Sequence, residues 1–123
     1  PLAVAAGLTM LNHLDEALYS QIGTHTEYLI TGLVERAQTQ GLRVCSNHVC
    51  GMFSLFFDID EALNYDHVAN SNVAQFNAFF HKMLDAGVYL APSAFEAGFI
   101  GSAHDQKILD TTLAAAEQAF AQL

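Results

Sequence analysis

The apolar run from Met52 to Asp58 constrains the fold more than any other feature of this sequence. Two interleaved sets of side chains alternate along it, and both are largely apolar: Phe53, Leu55 and Phe57 in one set, and Met52, Ser54 and Phe56 in the other. A strand with apolar side chains on both faces is typical of a sheet that is covered on both sides. The fold therefore needs cover for two sheet faces.

Helices are the natural cover, and four segments are predicted to form them. Apolar residues at helical spacing predict helices at 17–40, at 73–86 and from Ser102 towards the C-terminus. Pro1 to about His13 is predicted as a helix because Ala-rich sequence follows a proline at the first helical position. That first helix is apolar nearly all round, so it needs burial on most of its sides.

Helix ends are indicated by particular residues. Gly41 and Gly87 each follow a helical segment and are predicted to end it in a left-handed conformation. Ser102 and Asp105 have the spacing of a capping box, which predicts that the last helix begins at Ser102. The nearby His104 is expected to belong to this capping structure.

Three strands and two irregular segments complete the prediction. The strands are expected at Arg43–Ser46, Met52–Asp58 and Val88–Ala91. The first two are joined by a turn near Asn47–Gly51, and Pro92 ends the third. The irregular segments are 58–70 and 93–101. This order of elements favours an α+β fold, in which helices cover a small, mainly antiparallel sheet.

Charge is scarce in this chain of 123 residues. Charged residues make up 14% of it against a typical value of about 25%, and 52% are hydrophobic. This balance indicates that another domain or subunit covers part of the apolar surface. The net charge is −9 with four basic residues, which excludes a basic cluster for nucleic acid or an anionic membrane.

The chain begins with Pro1, from which we expect that a preceding segment was removed. No apolar run approaches the roughly 20 residues that span a bilayer. The two cysteines do not form a disulfide framework, so a reducing, cytoplasmic location is expected.

Two clusters have metal-binding residue types. Cys45, His48 and Cys50 lie within six residues, but a zinc site normally needs a second ligand pair elsewhere. A turn with incidental thiols is favoured. The second cluster is acidic: Asp58, Asp60, Glu61 and Asp66. It lacks the oxygen ligand and the glycine that a calcium loop needs at its fifth and sixth positions, so a solvated loop is favoured. The six histidines are scattered, and no metal site is predicted.

Glu96 is the candidate catalytic residue. It lies between Phe95 and Phe99 on a loop that follows the predicted strand Val88–Ala91. A carboxylate among apolar neighbours is expected to have a raised pKa or a cationic partner. The local pattern leaves open whether Glu96 is functional or is an ordinary exposed loop residue.

Three stretches resemble the C-terminal part of the glutamate-1-semialdehyde aminomutase family, which consists of class III aminotransferase-type enzymes. They are Pro1–Leu8, Asn47–Phe53 and Met83–Phe99, and Ser102–Asp105 and the last helix also fit. The third stretch is the most specific. The arginine-bearing strand that ordinary aminotransferases usually have in this region is absent. Cys50 and Ser54 depart from the family pattern, in which small residues, often glycine, are expected; neither is expected to contact the reacting groups.

The resemblance implies the small domain of a dimeric fold-type I enzyme that uses pyridoxal 5′-phosphate. Residues 1–14 would be an interdomain helix and 15–123 the C-terminal small domain. The large cofactor-binding domain would lie upstream, together with the Schiff-base lysine. Neither Lys82 nor Lys107 has the sequence context of that lysine, so we expect this chain alone to bind no cofactor and to be inactive.

The resemblance also implies a reaction, the conversion of glutamate 1-semialdehyde into 5-aminolevulinate for tetrapyrrole biosynthesis. Glu96 would hold an amine of the diamine intermediate. The implied partners are the large domain, a second subunit and the small-molecule substrate. Two alternatives remain open: a class III aminotransferase with another substrate, and a free-standing protein-interaction domain.

Overall fold

The structure, a computed structural model, describes all residues from 1 to 123. In chain order its elements are α1 (Leu2–Asn12), α2 (Glu16–Thr39), β1 (Val44–Val49), β2 (Met52–Phe57), α3 (Tyr65–Ala69), α4 (Val73–Asp85), β3 (Gly98–Phe99) and α5 (Gln106–Phe120). The strands form one antiparallel sheet in the order β1-β2-β3. The predicted α+β fold is confirmed.

The core lies between one face of the sheet and helices α2, α4 and α5. Alternation along β2 points Phe53, Leu55 and Phe57 towards these helices, and all three are buried. Phe79 of α4 stacks on Phe120 of α5, with ring centroids 4.5 Å apart and planes 9° from parallel. The ring of Phe57 lies 5.6 Å from that of Phe79. Buried aromatic rings in contact of this kind are among the most stabilising groups in a small core.

The opposite face of the sheet is covered at one end only. Phe56 is buried there, and the loop after β2 is joined to β1 at that end, where Asn47 donates its side-chain N–H to the carbonyl oxygen of Ala62. At the other end Val49 and Met52 are exposed. The cover that the apolar run demands is therefore only partly supplied within this chain.

Helix α1 contacts the rest of the chain very little. It forms where it was predicted, but none of its residues is buried, and Leu2 is 89% exposed. Its role as an interdomain helix stays a prediction. No helix in the structure combines the length and the apolar character needed to cross a membrane.

The turns and helix ends agree in part with the sequence prediction. Gly41 and Gly87 have φ angles of +75° and +85°, which confirms their left-handed conformation. The turn between β1 and β2 is shorter than predicted and consists of Cys50 and Gly51, with Cys50 at a φ of 49°. β1 accordingly extends to Val49.

The third strand was placed wrongly. Val88–Ala91 is not a strand, because its first residue closes α4 by donating its N–H to the carbonyl oxygen of Met83. Gly98–Phe99, inside the segment predicted to be irregular, pairs with β2 instead. Two residues leave too short a pattern to indicate a strand.

Two local helix predictions were also wrong. The last helix is capped by Asp105, whose carboxylate accepts the N–H of Ile108, so Ser102 is not the N-cap. The segment 58–70 contains the short helix α3, where the Asn64 side chain accepts the N–H of His67. Five residues are too few for helical periodicity to be visible.

Candidate active site

The segment that carries Glu96 is a tight turn that leads into β3. The hydroxyl oxygen of Ser93 accepts the N–H of Phe95 at 3.2 Å, and the carbonyl oxygen of Ser93 accepts the N–H of Glu96 at 3.0 Å. Serine commonly organises a turn in this way. The backbone that leads into Glu96 is thus fixed by the sequence immediately before it.

Ser54 fixes the same residue from the sheet. Its hydroxyl donates to the carbonyl oxygen of Glu96 at 3.4 Å. Ser54 therefore contacts the backbone of Glu96 and not its carboxylate, and the expectation that Ser54 does not contact the reacting groups stays a prediction. The contact crosses 42 positions of the chain, and no local sequence signal indicates such a contact.

The carboxylate of Glu96 is exposed and has no partner within the chain. The ion pairs of the structure involve Arg36 and Arg43, and no hydrogen bond reaches the Glu96 side chain. The cationic partner expected for Glu96 is not supplied by this chain.

Exposed aromatic residues flank Glu96 along the chain. Phe95 and Phe99 are 53% and 68% exposed, and the ring of Phe95 lies 6.4 Å from that of Tyr65. On its inner side Glu96 borders a small cavity of about 20 Å³ next to Phe53 and Phe76. The site is an apolar rim with one negative charge, which suits a cation presented from outside the chain.

A second cavity, of about 230 Å³, lies between β3 and α5. Its lining is mainly apolar, and Tyr89, His104 and Thr112 are its polar side chains. His104 accepts the N–H of Gly101 on Nδ1 at 2.9 Å. The imidazole therefore holds the loop between β3 and α5, and it does not cap an N–H of α5 as the sequence suggested.

The two clusters of metal-binding residue types do not form metal sites. No group of three His, Cys, Asp or Glu residues is placed to hold a metal ion. Cys50 lies in the turn, where its thiol donates to the carbonyl oxygen of Tyr19 at 3.6 Å. Burial, with a smaller effect from the charge of Asp60, raises the pKa of the Cys45 thiol, which makes it a poor nucleophile.

The acidic loop is engaged by one arginine. The guanidinium of Arg43 pairs with Asp58 at 2.7 Å and with Asp60 at 3.5 Å. The hydrogen bond and charge of Asp58 raise the pKa of Arg43. Both contacts are surface ion pairs, and such pairs contribute little to the free energy of unfolding.

Comparison with known proteins shows what the chain is similar to. The chain is 45% identical, over 124 residues and its whole length, to the glutamate-1-semialdehyde 2,1-aminomutase of Herminiimonas arsenicoxydans. The chain matches the C-terminal part of the glutamate-1-semialdehyde aminomutase family. It spans 29% of the length of that relative. The family resemblance inferred from the sequence is confirmed. No family model matches the chain.

Solved structures agree with the aminomutase match at the level of the fold. A transaminase with bound PLP has a TM-score of 0.76 and 18% identity, over 94% of this chain and 26% of that one. An omega-transaminase from Sphaerobacter thermophilus has a TM-score of 0.77 and 16% identity, with the same coverage. Identities this low establish a common fold and no more.

The two lysines do not form a cofactor site with Glu96. Lys82 lies in α4, and its amine donates to the side chain of Gln122 near the C-terminus at 3.2 Å. Lys107 lies on the exposed first turn of α5. Neither lysine is near a group that the sequence assigned to the site, and Glu96 is the candidate carboxylate of this chain.

Proposed function

We propose that the chain is the C-terminal small domain of a glutamate-1-semialdehyde 2,1-aminomutase. The observation that carries the proposal is the 45% identity over the whole chain to an enzyme of that name. In this proposal residues 1–14 form an interdomain helix and residues 15–123 form the small domain. The whole protein would be a cytoplasmic homodimer, and its two unpaired cysteines favour a reducing compartment.

The cofactor, when bound in its aminated form, would supply an amino group to the aldehyde carbon of the substrate and regain one from the neighbouring carbon, so that it ends in the form in which it began. Substrate and product are isomers, so the exchange needs no external oxidant or reductant. Because the chain spans 29% of the length of its relative and neither of its lysines has the expected sequence context, the cofactor and the lysine that holds it are assigned to the rest of the full-length protein. The isolated chain is expected to be inactive.

Glu96 would hold an amine of the diamine intermediate. Its carboxylate is exposed and unpaired within the chain, so it is free to accept hydrogen bonds from an ammonium group. Exclusion of water, once another domain covers this segment, would strengthen that contact. A hydrogen bond to a charged group contributes about 1.5–3 kcal/mol, enough to slow escape of the intermediate before its second amine is removed.

The large domain would cover the apolar surfaces that this chain leaves open. Every residue of α1 is exposed, and Val49 and Met52 are exposed on the sheet. Surfaces of this kind are typical of contact with another domain or subunit. The same exposure would suit a free-standing interaction domain, so the test has to separate the two.

Product analysis of the full-length protein tests the proposal. With glutamate 1-semialdehyde as the only substrate, we expect stoichiometric 5-aminolevulinate without an added amino donor or acceptor. Formation of product only when an amino acceptor is added would identify an aminotransferase with another substrate. Absence of pyridoxal phosphate from the purified full-length protein, with tight binding to an unrelated protein, would favour an interaction domain.

A further inference from the structure

β3 is held to the hairpin by few contacts. It is two residues long and places Gly98 opposite Phe53 of β2. Immediately after it, Ile100 donates its N–H to the carbonyl oxygen of Gly51 at 2.7 Å. Because so few groups fix this strand, each of them has a large effect on where the strand lies.

Gly98 allows the strand to come this close. A Cβ atom on Gly98 would lie 2.6 Å from Cζ and 2.7 Å from Cε1 of Phe53, closer than side chains allow. The ring of Phe53 is buried in the core, 6% exposed, and packs directly on the bare α-carbon. The φ angle of Gly98 is not in the left-handed region, so backbone conformation does not require a glycine here. The close approach of the Phe53 ring does.

The same approach sets the position of Glu96. Glu96 precedes Gly98 by two residues, and its carbonyl oxygen is within 3.4 Å of the Ser54 hydroxyl on β2. Its N–H is fixed by Ser93. If β3 moved away from β2, the Ser54 contact would be lost and the carboxylate would move with the backbone.

We infer that Gly98 is a positioning residue for Glu96, acting through the packing of its α-carbon on the Phe53 ring. The inference rests on the proposed function, in which Glu96 holds an amine of the intermediate. A displacement of about 1 Å at a reacting group can reduce the rate on the order of a hundredfold. Gly98→Ala in the full-length enzyme is therefore expected to lower turnover about tenfold to a hundredfold.

The test measures two quantities in the full-length enzyme. One is the ratio of released diamine to 5-aminolevulinate, which rises if Glu96 is misplaced and is unaffected if enzyme is merely lost to unfolding. The other is the hydrogen-exchange rate of the Ile100 amide, which reports the contact between β3 and the hairpin. Gly98→Ala is expected to raise both, and adding Phe53→Leu, which removes ring atoms from the clash, is expected to lower both again.

Gly32→Ala is the matched control. A Cβ there would meet Leu113 side-chain atoms at 2.8 Å, a comparable clash at the contact of α2 with α5. This variant is expected to lose stability with no change in either quantity. An unchanged diamine ratio in Gly98→Ala, or an equal rise in Gly32→Ala, would overturn the inference.

A second variant covers the case in which Gly98→Ala does not fold. A Cβ on Gly51 would lie 2.7 Å from the carbonyl oxygen of Ile100, so Gly51→Ala pushes the same segment away through its other contact. It is expected to raise the same two quantities, and unchanged values would again overturn the inference. If the wild-type enzyme forms no 5-aminolevulinate, the proposed function fails. Exchange at Ile100 then decides whether Gly98 positions the segment.

Discussion

The helical core and the Glu96 segment are stabilised in different ways. In the core, side chains from three helices bury themselves against β2, and Phe79 is fully buried between Phe57 and Phe120. In the segment from 93 to 101, most positions are exposed or half-buried, and backbone hydrogen bonds and one bare α-carbon fix its path. Buried area makes the core robust, whereas the segment depends on a few exact distances.

The largest effect is expected from the centre of the core. Phe79→Ala removes a ring that stacks on Phe120 and leaves a cavity, so the free energy of unfolding should fall by about 3–5 kcal/mol. Denaturant unfolding measures it. Phe99→Ala, at a ring that is 68% exposed, should change it by less than about 1 kcal/mol. Equal losses would contradict the contrast between the two regions.

For turnover, in contrast to stability, a change in the Glu96 segment is expected to have the larger effect. Glu96→Gln in the full-length enzyme keeps the shape and removes the charge, which corresponds to a loss of about 1.5–3 kcal/mol, or one to two orders of magnitude in turnover. Released diamine should increase, and cofactor absorbance should be unchanged. Glu35→Gln, at an exposed glutamate on α2, is the control. Wild-type diamine release and turnover in Glu96→Gln would remove Glu96 from the site.

A smaller effect is expected at the junction between the segment and α5. Asp105→Ala removes the carboxylate that accepts the N–H of Ile108, so the free energy of unfolding should fall by about 1 kcal/mol. Ser102→Ala should have almost no effect. Thermal unfolding of both variants decides between the cap observed and the cap predicted from the sequence. A larger loss in Ser102→Ala would favour the sequence prediction.

The smallest effect concerns a surface bond between α2 and α5. Tyr28 donates its hydroxyl to Asp110 at 2.7 Å, which raises the pKa of Tyr28 and, with Gln106, lowers that of Asp110. The depressed pKa of Asp110 means that this stabilisation is present above about pH 4 and is lost as pH falls through the folded-state pKa. The raised pKa of Tyr28 means that it is present below about pH 10 and is lost as pH rises above that value.

Tyr28→Phe should therefore be slightly less stable than wild type at neutral pH, and the two curves should converge at both extremes of pH. Denaturant unfolding over a pH series measures the difference. A difference that stays constant across the series would show that the bond contributes nothing that depends on the charge of Asp110.

The same contrast explains what the sequence could predict. The helices α2 and α4 were predicted close to their observed bounds, and α5 and the hairpin were predicted in the right place with errors at their ends, because their apolar side chains repeat over many residues. β3 was not, since two residues make no pattern and its neighbour Val88–Ala91 resembles a strand better. Glu96 was proposed from the resemblance and from its apolar neighbours, and its role stays a prediction; its contact with Ser54 depends on pairing across the chain.

The isolation of α1 has a consequence for how such a protein can change over time. Because none of its residues is buried, substitutions along α1 leave the free energy of the core nearly untouched. Such substitutions would instead change the contact between α1 and the surface that it is proposed to bind. In the proposed interdomain role, the strength of the contact between α1 and another domain could therefore change by mutation without altering the fold of the rest of this chain.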